Sequence, residues 1–193
     1  MKDYKKRGEI KGSLIIEGNL ILEGNLIVEE NIKVSGYINC AGYSIEAGYS
    51  IKAGDWIEAG DSIEAGYSIE AGDWIKAGDW IEAGDSIEAG DSIEAGYSIE
   101  AGGSIEAGGS ILAQLWIKCK GTLNVKLYIY AGMITWRERI DEDMIIECGK
   151  LENGKIEFGT LHETGLKIED NEVLKAIKLL EKKGKIRDGK IIV

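Results

Sequence analysis

Fifteen carboxylates recur at fixed spacing between Ala41 and Leu112, and they are the densest chemistry the chain offers. Nine Glu close a six-residue unit, and six Asp stand at its third position. Taken at every third unit, Glu46, Glu64, Glu82 and Glu100 form one series without a cation, accompanied by Asp61 and Asp79. Such a stripe attracts either divalent cations, which prefer oxygen ligands, or a basic protein surface. The first use lacks its sequence signature. Neither the Asp-x-Asp-Gly spacing of a calcium loop nor a Gly-Gly-x-Gly-x-Asp repeat is present, so no metal site is expected. A basic partner surface is the chemistry expected of these six residues.

Catalytic constellations are not legible. His162 is the only histidine, and no serine-nucleophile motif surrounds it. Cys148 lies in an apolar stretch and reads as a core thiol. No CxxC or His pair offers zinc ligands, and no Gly-x-x-x-x-Gly-Lys-Ser/Thr run offers a phosphate loop. The chain reads as a non-enzyme that needs no cofactor.

The carboxylates are positioned by a unit that repeats twelve times without insertion: Ala-Gly-(Tyr/Asp/Gly)-(Ser/Trp)-Ile-(Glu/Lys). A period this short has no core of its own, so each unit must stack on its neighbours. By strand alternation, Ile63 and Ala65 share one face, while Ser62 and Glu64 point the other way. Gly is expected at a corner, for its access to positive φ. Like residues recur at 18, as in Trp56/Trp74, Tyr49/Tyr67 and Asp55/Asp73/Asp91, and Trp80 and Trp116 are 36 apart. Three hexads per coil follow, with like residues in columns about 4.8 Å apart. The fold expected is mostly β: a three-sided parallel β-helix, or β-solenoid, whose coil has a period of 18, with a small C-terminal α+β unit. The aromatic columns Tyr49, Tyr67, Trp56, Trp74 and Trp80 stiffen the wall or form a contact patch.

The stretch from Gly18 to Cys40 keeps the period in another phase. Its inward pairs are Leu20/Leu22, Leu26/Val28, Ile32/Val34 and Ile38/Cys40. Relative to glycine, the inward set moves by one position near Cys40–Ala41. A one-residue slip swaps faces, so a bulge or kinked corner is expected there. Leu14, Ile16, Leu20 and Leu22 mark an apolar coil end that could assemble.

Left-handed hexapeptide acyltransferases place a small residue two before the aliphatic one. Here that position is Asp or Tyr and the repeat holds no histidine, which disfavours such an enzyme. The run Gly-Asn-Leu-Ile-Leu-Glu-Gly-Asn-Leu-Ile-Val-Glu at 18–29, with the glycine-punctuated hexads after it, resembles the bactofilin, or polymer-forming cytoskeletal, group over roughly residues 12–118. The resemblance implies a right-handed, three-sided parallel β-helix that polymerises end to end. A rod of carboxylate ladders also resembles, in logic, the pentapeptide-repeat mimics of DNA.

Composition agrees with a rod. The net charge is −11, of which residues 41–112 carry −13 and the remainder +2. Such a surface repels nucleic acid and anionic membranes, so neither is an expected partner; self-association or a basic protein surface is. No apolar run reaches the roughly 20 residues of a membrane span. Three scattered cysteines without a disulfide framework suit a reducing, cytoplasmic setting. The organisation expected is a charged segment at 1–12, the solenoid at 13–118 and an α+β cap or docking unit at 119–193. Within that unit, Glu152-Asn153-Gly154 reads as a hairpin turn between 144–148 and 155–158. Asp170 or Asn171 reads as the cap of a helix to about Lys183, followed by a hairpin around Asp188-Gly189. The leading function expected is a self-associating scaffold. The alternative is an inhibitor of phage or mobile-element type that mimics nucleic acid and blocks a basic groove.

Overall fold

In an extended Ile-Glu-Ala segment, Ile and Ala lie on one side of the backbone and Glu on the other. Each hexad makes such a rung in the computed structural model, which describes residues 9–165, 186–187 and 190–191. In Ile63–Ala65, for example, the two ends are buried and Glu64 is exposed. Rungs stack in parallel on the third rung before and after. Ile45 pairs with Ile63, Ile63 with Ile81, Ile81 with Ile99 and Ile99 with Ile117.

Three faces result. The first stacks Leu14–Ile16, Ile32–Val34, Ile51–Ala53, Ile69–Ala71, Ile87–Ala89 and Ile105–Ala107. The second stacks Leu20–Ile21, Ile38–Cys40, Ile57–Ala59, Ile75–Ala77, Ile93–Ala95 and Ile111–Ala113. The long strand Thr122–Ala131 runs round a corner and joins these two faces into one 14-stranded sheet. The third face is an 8-stranded sheet from Leu26–Val28 to Thr160–Glu163. One strand per coil makes the rod eight coils tall, about 38 Å at the ~4.8 Å spacing of strands. The chain is a three-sided parallel β-solenoid, as the three-hexad register predicts.

The core is a pile of isoleucines. Ile45, Ile63, Ile81 and Ile99 are 0% exposed, and the alanines between them 2–3%. Full burial of an Ile is worth about 2–3 kcal/mol. Each shaft coil thus gains about 6–9 kcal/mol from its three isoleucines, set against the ordering entropy of its residues. Serine hydroxyls stack between coils as well, Ser62 to Ser44 at 3.0 Å and Ser68 to Ser50 at 3.1 Å.

The corner glycines serve a different purpose from the one expected. Past Gly42, none of the repeat glycines takes positive φ. A Cβ on Gly66 would instead lie 2.1 Å from the carbonyl oxygen of Gly48, and one on Gly78 1.9 Å from that of Gly60. Coils approach so closely at the corners that a methyl group has no room.

The kinked corner expected at Cys40–Ala41 is formed. Below it rungs pair at 18, as in Leu14 with Ile32; across it they pair at 19, as in Leu26 with Ile45. The extra residue makes a turn in which the Tyr43 amide donates to the Cys40 carbonyl at 3.1 Å, and Gly42 takes φ +79°. Ala41 is consequently exposed, unlike the alanines of later hexads.

Parallel stacking crosses residue 118. Leu123 pairs with Ile105, Ile129 with Ile111 and Ile146 with Ile117. That last step is longer than the step from Ile99 to Ile117 beneath it, because residues 132–144 loop out. The hairpin expected at Glu152-Asn153-Gly154 does not form. Lys150–Phe158 is one strand, parallel to Thr122–Ala131, with Gly154 at φ +124° turning a corner where a reversal was expected. The free edge of the preceding coil supplies a parallel partner, and that pairing wins over the local turn. This last coil turns every five residues: Leu151, Ile156 and Leu161 stack on Leu123, Ile129 and Ile146. The helix expected from Asp170 or Asn171 lies outside the described residues. Ile186 and Arg187 do pair antiparallel with Ile191 and Lys190, as the hairpin expectation requires.

Candidate functional site

The outward middle residue of each rung generates three surface columns. On the first face Lys52 sits between Lys33 and Glu70, and its ammonium pairs with Glu70. On the second, Lys76 sits between Glu58 and Glu94 and reaches Glu94 at 3.3 Å. The third face has no such relief. Glu46, Glu64, Glu82 and Glu100 follow one another in register, and the run is closed by Ile27 below and Lys118 above. Partial burial, then the charges of Glu82 and Glu46, push the Glu64 carboxyl above its ordinary pKa. Asp61 and Asp79 occupy the corner leading into this face, with the Asp79 amide donating to the Asp61 carbonyl at 2.9 Å. The six predicted acidic residues therefore gather on one edge of the rod.

The aromatic columns divide. Trp56 and Trp74 stack at 4.7 Å and 7°, and Tyr37 extends the pile beneath Trp56 at 4.3 Å and 3°. Tyr49 and Tyr67 stack at 5.5 Å. Trp80 has no ring above or below it: the hexad places Ser62 and Ser98 there, and it is 39% exposed. Tyr37 escapes a search at the strict period because the extra residue at the kinked corner puts it 19 before Trp56.

At the N-terminal end, Leu14, Ile16 and Leu22 are partly exposed at the mouth of the core, while Leu20 is already buried at 5%. The sequence reading missed the outer wall of this coil. Ile15, Ile21 and Ile27 take the outward position of its three rungs and are 70%, 54% and 37% exposed. Each column turns polar one rung later, at Lys33, Asn39 and Glu46. Alternation around Leu20/Leu22 carries the signal, since the residue between two inward leucines faces out. Among the described residues, Leu14–Ile16 and Leu20–Ile21 terminate their sheet, so each has one unpaired edge.

The inserted loop folds back along the rod. Trp136 sets its ring edge-on to Tyr97 at 5.4 Å, two coils nearer the N-terminus. Arg137 donates to both carboxylate oxygens of Asp143 at 2.7 Å, and the Ile140 amide adds a third bond at 2.9 Å. These bonds hold the Asp143 carboxyl below its usual range.

Cys148 and His162 lie on opposite sides of the third face. Cys148 is fully buried, and His162, paired with Glu147, is exposed. Burial pushes the Cys148 and Cys40 thiols up to about 11 and that of Cys119 up to about 12. Among the described residues, no three His, Cys, Asp or Glu side chains gather as metal ligands. No described helix is long and apolar enough to cross a membrane.

Fold and surface together define a parallel β-solenoid built on a six-residue repeat, with one acidic face and an apolar N-terminal coil. No protein-family model matches the chain, and no curated protein or solved structure does either.

Proposed function

We propose that the protein is a non-catalytic, bactofilin-like scaffold: an acidic rod that self-associates at its N-terminal coil and offers its regular faces to partners. The observation that carries this reading is the apolar collar. Ile15, Ile21 and Ile27 are exposed on the three faces of the first coil, and two of its rungs, Leu14–Ile16 and Leu20–Ile21, also have an unpaired edge among the described residues, while Ile10 pairs on the third. An unpaired strand edge beside exposed apolar surface favours docking of another chain. The Gly18–Glu29 run and its resemblance to bactofilins support the same role. Three free, buried cysteines suit a cytoplasmic setting. Size exclusion with light scattering at about 0.1 M and about 1 M salt tests the reading. Association at both salts is expected, because the contact is apolar. A monomer at both would refute it.

The third face favours a second reading. Four glutamates in register, with no cation until Lys118, suit an inhibitor that mimics nucleic acid in the basic groove of a DNA- or RNA-handling protein. Binding of that kind weakens as salt rises and is lost on charge reversal at Glu64, Glu82 and Glu100. Binding to a panel of basic nucleic-acid-handling proteins that survives both changes would rule it out.

A further inference from the structure

The two ends of the rod do not match. At the N-terminal end the inward residues advance by six, through Leu14, Leu20 and Leu26 to Ile32. At the C-terminal end of the described solenoid they advance by five, through Leu151, Ile156 and Leu161. One residue of strand is about 3.3 Å, so a side of the last coil is shorter by about that much than a side of the first. Within the chain this mismatch already costs the ladder three register irregularities, where Lys150–Phe158 lies on Thr122–Ala131. Between separate molecules no connecting backbone would hold such a ladder together. The tight corners are fixed by Gly154 and Gly159 at φ +124° and +121°, so the last coil cannot relax to six-residue sides.

The first coil, by contrast, fits a copy of itself. Two N-terminal ends related by a two-fold axis present sides of equal length, and their edge strands Leu14–Ile16 and Leu20–Ile21 meet antiparallel, while Ile10 already pairs on the third side. Ile15 and Ile21 of one copy then border those of the other. We propose that the self-association assigned above is a closed, N-end to N-end dimer of this chain, in place of an open head-to-tail polymer. The inference rests on that self-association reading and specifies its partner and its limit. The contact is isologous, so it uses up both apolar ends and growth stops at two.

The test uses the full chain and a probe at each end. All three native cysteines are buried, so a single surface cysteine can be labelled selectively. Glu17→Cys places pyrene beside the first coil and Glu152→Cys places it on the last; both positions are exposed. At micromolar protein the expected mass is twice the 21.0 kDa of the chain. Excimer emission is expected from Glu17→Cys protein alone, and none from Glu17→Cys mixed with Glu152→Cys beyond what the first gives. The double variant Ile15→Glu, Ile21→Glu changes only outward side chains. It should keep the β circular dichroism of the parent and raise the concentration needed for dimerisation at least tenfold. Excimer that appears only in the mixture, or particles larger than a dimer, would overturn the dimer and leave self-association standing. A monomer at every concentration would defeat the self-association reading itself. A dimer unchanged by the double variant would remove the collar from the contact.

Discussion

Gly78→Ala tests whether coil spacing, and not backbone freedom, fixes the corner glycine. A Cβ at residue 78 would lie 1.9 Å from the Gly60 carbonyl oxygen, a backbone atom that cannot swing aside. Real Cβ atoms come no nearer than about 3 Å, so the corner must open by about 1 Å. Two hydrogen bonds span that corner: Gly78 N–H to Ala59 O at 3.2 Å and Asp79 N–H to Asp61 O at 2.9 Å. Weakening both costs up to about 2 kcal/mol, and the steric shift adds about 1–3 kcal/mol. The stiffer unfolded chain returns about 0.4–1 kcal/mol. A net loss of about 2–3 kcal/mol lowers Tm by roughly 4–12 °C for a domain of this size. Gly24→Ala is the control, since nothing lies within 4 Å of its Cβ position and its φ is not left-handed. It should be neutral or stabilising by up to about 1 kcal/mol. Thermal unfolding by circular dichroism at one fixed protein concentration reads both. Equal Tm values for the two variants would refute the steric account, because propensity alone acts on both alike.

Further predictions concern charge, thiols and rings. Glu64→Gln should stabilise at neutral pH by a few tenths of a kcal/mol, since it removes a partly buried carboxylate charge and its repulsion of Glu82 and Glu46. The raised pKa of Glu64 means the folded state holds its proton more tightly than the unfolded one. Its penalty is therefore full above the folded pKa and fades as pH falls toward the ordinary carboxylate value, so the advantage of the variant should vanish in acid. A gain that persists there would exclude the charge explanation. Thiol titration with an aromatic disulfide at pH 7 should find almost no reaction in the native protein and three thiols after denaturation. Burial holds Cys40 and Cys148 at about 11 and Cys119 at about 12, which leaves little thiolate. Fast labelling of one native thiol would contradict its burial. Trp56→Ala removes the middle ring of the Tyr37–Trp56–Trp74 pile and should cost about 1–3 kcal/mol, two stacking contacts at about 0.5–1.5 kcal/mol each. A Tm equal to that of the parent would make the pile ornamental. Arg137→Leu strands the buried Asp143 carboxylate, and hydrogen exchange should rise within 132–144 while the shaft keeps its protection. Unchanged exchange in that loop would show that the ion pair does not hold it.

Where the repeat is strict, the sequence was enough. The inward Ile/Ala pairs, the kinked corner at Cys40–Ala41 and the gathering of Glu46, Glu64, Glu82 and Glu100 on one face all follow from a period of six and an alternation of two. The closing of that stripe by Lys118 was equally open to reading, as it stands three hexads after Glu100. The five-residue turns at Leu151, Ile156 and Leu161 left a trace in the spacing of Gly154 and Gly159, yet Asn153-Gly154 carries the stronger local signal of a hairpin.

A strict tandem repeat determines its own fold because each unit's neighbours are copies of itself: the environment of Ile63 is written at Ile45 and Ile81. Composition, period and phase therefore decided the three faces, their core and their charge. The tertiary structure alone decided what has no copy. It chose the parallel partner for Lys150–Phe158 over a hairpin, and laid the 132–144 loop back onto Tyr97. It also left Leu14–Ile16 and Leu20–Ile21 with unpaired edges among the described residues, beside an apolar wall. Those outcomes depend on which surface is still unsatisfied once the shaft has stacked, and a local stretch of sequence does not contain that surface.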